Sequence, residues 1–71
     1  MSANRIIRRK IVEIATELNT EAMRKNIGYE DKTQVETLVK FYNQKFITWC
    51  RQNIKLKPNE KAFINYINLC R

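Results

Sequence analysis

The chain has no histidine, one glycine, one proline and two cysteines. Without histidine it lacks the commonest general base and metal ligand. One glycine excludes a glycine-rich phosphate cradle. Cys50 and Cys70 with no histidine leave a four-ligand zinc site incomplete within one chain. In an antiparallel hairpin they also stand on the order of 10 Å apart along the helix axes, beyond disulfide reach, so both are expected as reduced thiols. Glu13, Glu17 and Glu21 follow at four-residue spacing but face Lys10, Arg24 and Lys25, which reads as a salt-bridged solvent face. No enzyme, no metal and no cofactor are expected. No apolar run reaches the ~18 residues of a membrane span, and no signal-peptide core precedes a cleavage site. A cytoplasmic protein with no membrane partner is the expectation.

Scarce glycine and proline also leave little turn chemistry for a sheet, which points to helices. The hydrophobic share of 44% argues against disorder. At 71 residues there is one small domain, able to bury only about 60% of its unfolded surface. Isoleucine, lysine and asparagine supply 25 of the 71 residues, an AT-rich codon bias that suits a phage or other mobile element by association only.

What is present is helical periodicity. Ile7, Ile11, Ile14, Leu18 and Ala22 form one narrow apolar face. Ser2 or Asn4 can cap its start, and Gly28 can end it in a left-handed turn with Tyr29 folding back near Met23. Thr33 and Glu36 have capping-box spacing ahead of a second stripe: Val35, Leu38, Val39, Tyr42, Phe46, Trp49 and Cys50. Pro58 suits the first turn of a third helix. That helix is apolar over more than half its circumference, which calls for burial on two sides, between the other helices or against a partner. The expected fold is all-α: a three-helix bundle with helices at about 4–27, 34–54 and 58–70, two long and antiparallel, and dimerising.

Charge is segregated along the chain. Residues 1–12 carry +4, residues 13–36 carry −3, and residues 37–71 carry +6, which accounts for the net +7. In an antiparallel hairpin Arg5, Arg8, Arg9 and Lys10 meet Arg51, Lys55, Lys57 and Lys61 at one end. Glu21, Glu30, Asp31 and Glu36 gather at the other. Basic residues in the first turns of a helix oppose its dipole, at roughly 0.3–1 kcal/mol each, so stability alone does not explain them. A solvated basic face is the plain alternative.

Three functions follow, in order of preference. In the first, the basic end binds the phosphates of DNA or RNA through those eight residues. In the second, an acidic protein docks on the basic end and on Phe41, Lys45, Ile47 and Ile54, apolar or cationic side chains off the core stripe. A membrane-surface role comes last, because the stripes are better used in a core. Tyr42, Phe46 and Trp49 read as core rather than as base-stacking platforms. Homodimerisation would also relieve the small core.

Overall fold

Ser2 starts the first helix. Its hydroxyl accepts the Arg5 backbone N–H at 3.3 Å, and α1 runs Ala3–Arg24. The computed structural model describes residues 2–70. Helix α2 is Lys32–Gln52, a short 3-10 turn covers Ile54–Leu56, and α3 is Ala62–Cys70. Among the described residues there is no strand, and no helix is long and apolar enough to cross a membrane.

The helices end differently from the sequence expectation, for identifiable reasons. Asn26, not Gly28, takes the left-handed conformation after α1, at φ 55°. The Asn26 N–H donates to Met23 O and the Ile27 N–H to Ala22 O, the paired bonds of a Schellman motif. Asparagine tolerates this region better than other side chains, and it comes two residues before the glycine. Tyr29 and Met23 both remain largely exposed. Helix α2 is capped by Asp31, not Thr33: its carboxylate accepts the Gln34 N–H at 3.2 Å, and its carbonyl accepts that of Val35. Aspartate adds a charge that suits the positive helix start, which threonine cannot do.

Pro58 lies before α3, not within it. Lys57 ahead of it leaves right-handed space, where a residue preceding proline is disfavoured, and sits at φ 52°, ψ 51°. Asn59 then forms the turn that leads into α3, its side chain accepting the Lys61 N–H and its carbonyl that of Ala62.

Helices α1 and α2 pack antiparallel. Lys10 shares a groove with Gln52, while Glu21 and Lys25 share another with Thr33 and Gln34. The core takes Ile11, Ile14, Ala15 and Leu18 from α1, and Leu38, Tyr42, Phe46 and Cys50 from α2. Phe63 closes it from α3, fully buried, with its ring stacked 6.0 Å from that of Phe46. Burying such a ring contributes about 1.5–3 kcal/mol. Ile7, Ala22, Val39 and Trp49 flank the core half-buried.

Helix α3 is covered by the other two helices on one side. Only Phe63 is buried, Tyr66 and Ile67 are half-buried against α1 and α2, and Leu69 and Cys70 are exposed. It lies over the seam of the hairpin and is packed on one side, not two. Cys50 is buried, Cys70 exposed, and both are free thiols.

Candidate nucleic-acid interface

The start of α1, the end of α2, the connection through residues 53–61 and the start of α3 meet at one end. Helix geometry sets Arg5, Arg8 and Arg9 within an arc of about 100°, away from Ile7 and Ile11. All three are exposed. Lys10 projects from the other flank and pairs with Glu13 at 3.2 Å. On the neighbouring elements Arg51, Lys55, Lys57 and Lys61 are also exposed. Arg51 Nε meets Glu60 Oε2 at 3.5 Å, which ties the end of α2 to the approach of α3.

Among the described residues, then, two of these eight cations face a carboxylate. Arg5, Arg8, Arg9, Lys55, Lys57 and Lys61 do not. Two further features mark this end. The first turn of α1 carries no acid, so its free N–H groups add to the cations. Lys57 is held in left-handed backbone, where a side chain is costly and glycine would be easier.

The opposite end is muted. Glu21 is held by Arg24 at 3.2 Å and Lys25 at 3.4 Å. Partial desolvation pushes its carboxyl up, but the Lys25 hydrogen bond and the Arg24 charge outweigh that and hold it below the ordinary range. Asp31 serves as the α2 cap, which leaves Glu30 and Glu36 as exposed acids.

The four residues considered for a protein partner are not brought to one face. Phe41 is 58% exposed, with its ring edge-on to Tyr42 at 5.2 Å and Lys45 Nζ 5.3 Å from its centroid. It lines a groove between α1 and α2 whose polar walls are Lys10, Glu13 and Glu17 on one side, and Gln44, Lys45, Thr48 and Gln52 on the other. Ile47 is half-buried about 120° around α2 from Phe41, and Ile54 stands exposed on the 3-10 turn at the basic end. The acids in the groove wall make it a poor track for phosphates. Base stacking on the other helix-α2 aromatics is limited: Tyr42 and Phe46 are buried, and Trp49 is half-buried against Phe46 at 5.9 Å.

Two features escaped the sequence reading. The strained Lys57 was signalled only by the proline after it. The exposure of Tyr29, Met23 and Leu69 depends on where α3 stops and on Asn26 ending α1 first. Neither family models, curated proteins nor solved structures yield a match to this chain.

Proposed function

We propose that this chain is a small non-enzymatic accessory or regulatory protein of the cytoplasm, binding nucleic-acid phosphates through the basic end of its bundle. The observation that carries this reading is the concentration there of six exposed cations without a carboxylate partner among the described residues. Arg5, Arg8, Arg9, Lys55, Lys57 and Lys61 make the contacts. Lys10 and Arg51 contribute less, being partly neutralised by Glu13 and Glu60. Such binding is driven by counterion release, so it reads charge density and not base sequence. The same reading takes the chain as a homodimer, supported by the large apolar side chains left outside so small a core.

Charge reversal tests it. Arg8→Glu with Arg9→Glu changes two exposed side chains and improves the match to the α1 dipole, so the fold is kept. Affinity for duplex DNA, single strands and RNA is expected to fall alike, and the slope of log K against log salt to flatten by about two contacts. Undiminished affinity in the folded variant removes the basic end as the phosphate site.

A second reading, docking on an acidic protein, is favoured by one observation: Phe41 is exposed with a lysine over its ring. Phe41→Ala then abolishes a stoichiometric protein complex formed in nuclease-treated extract and leaves the net charge and phosphate affinity unchanged.

A further inference from the structure

The six cations left without a carboxylate among the described residues stand in two banks. Arg5, Arg8 and Arg9 form the first, on α1. They continue, at helical spacing, the face that carries Val12, Thr16 and Asn19. Those three side chains line the groove against Tyr66 and Ile67 of α3. Lys55, Lys57 and Lys61 form the second bank, on the connection that leads into α3. Helices α1 and α3 both start at this end and run the same way, since Cys70 at the end of α3 borders Tyr29 and the start of α2. The banks are therefore neighbours, carried by α1 and by the lead-in to α3, and packed helix axes lie about 8–10 Å apart.

Two observations bear on the form of nucleic acid such a site takes. First, the rings suited to stacking on unpaired bases are placed elsewhere. Tyr42, Phe46 and Phe63 are buried, and Trp49 and Tyr66 are half-buried. Tyr29 is exposed, but beside the start of α2 at the far end. Phe41 is exposed on the groove that holds Glu13 and Glu17, about 15 Å along α2 from Arg51. Single-strand sites combine a cationic track with such rings. A site built of cations instead favours the polyanion of higher charge density, which is the duplex. Second, the bundle end is 19 × 18 Å across, too broad to enter a major groove about 12 Å wide. It lies over backbones, and two neighbouring banks suit the two strands that border a groove.

We infer that the basic end takes double-stranded nucleic acid, set across a groove with one bank on each strand. The inference rests on the phosphate reading above and adds the class of ligand: paired strands, gripped by their backbones. DNA and RNA duplexes share that chemistry. Each phosphate contact releases about 0.9 counterion from a duplex and about 0.7 from a single strand. Over six contacts this gives the duplex an advantage on the order of tenfold in about 0.1 M salt.

Fluorescence anisotropy tests this with a short DNA duplex, an RNA duplex of equal length, and one of the DNA strands alone, in about 0.1 M salt. The duplexes are expected to bind on the order of tenfold more tightly than the strand, with a steeper salt slope. Comparing the DNA and RNA duplexes tells which backbone the site prefers. Lys55→Glu with Lys61→Glu reverses the second bank at exposed positions, and duplex affinity should fall as far as it does with Arg8→Glu and Arg9→Glu. A single strand that binds as tightly as the duplexes overturns the inference and leaves the phosphate reading standing. Undiminished duplex affinity in the folded Lys55→Glu, Lys61→Glu variant overturns the two-bank placement. Binding to none of the three overturns the phosphate reading itself.

Discussion

Phe46 and Phe63 are the two large side chains removed entirely from solvent, and their rings stack between α2 and α3. Truncating either to alanine should cost about 3–5 kcal/mol, most of the stability expected of a domain this size. Denaturant melts should show Phe63→Ala losing the α3 contact first, because nothing else on that helix is buried. The two thiols differ as sharply. Burial, then the nearby Glu60 charge, pushes the Cys50 thiol up, whereas Cys70 is exposed. A thiol reagent at neutral pH should modify Cys70 quickly and reach Cys50 only through unfolding. Equal rates at both would contradict the packing of α2. Glu21 supplies the pH dependence. Its carboxyl is held below the ordinary range, so the stability it gives is present at neutral pH and is lost as pH falls through its folded value. Glu21→Gln should therefore show a smaller drop in urea midpoint between neutral and acidic pH than the parent chain shows.

At the scale of elements, the ends of the helices separate what local chemistry decides from what tertiary context decides. Asn26 holds the left-handed position, so Asn26→Ala should cost about 1–2 kcal/mol. Gly28 does not have a positive φ, and only the flexible tip of Glu30 stands where its Cβ would go. Gly28→Ala should therefore be tolerated, or stabilise by about 0.4–1 kcal/mol, as a thermal melt would show. The opposite ranking would restore the glycine turn that composition suggested. Both long helices and their antiparallel pairing were legible, because all five α1 stripe positions and six of the seven of α2, all but Val35, lie in or against the core as the 3.6-residue period demands. Ala15 also joins the core, a small residue that carries little periodic signal. The caps were misread because asparagine and aspartate compete with glycine and threonine at neighbouring positions, and spacing alone does not rank them. Helix α3 was legible only in part, because an all-round apolar helix shows that burial is needed and not whether this chain or another provides it.

For the whole molecule, the antiparallel hairpin turns a linear pattern of charge into a spatial one. Its extents of 37 × 19 × 18 Å keep the basic end well separated from Glu30 and Glu36. This much of the candidate site was legible from charge runs and two short connections. Which cations are spent on carboxylates was not, since the Arg51–Glu60 contact depends on the path of the 53–61 segment. Lys57 links stability to function. Lys57→Gly relieves left-handed strain and should raise the melting temperature while removing one phosphate contact. A variant that is more stable and binds more weakly fits the account; one that binds equally well takes Lys57 out of the site. The most direct test of the central claim is fluorescence anisotropy of duplex DNA, single-stranded DNA and structured RNA, titrated with the unmodified protein at several salt concentrations. Saturable binding is expected, with log K falling linearly with log salt at a slope set by about six contacts. Absence of binding near physiological salt, or affinity indifferent to salt, would contradict it and turn the basic end toward an acidic protein.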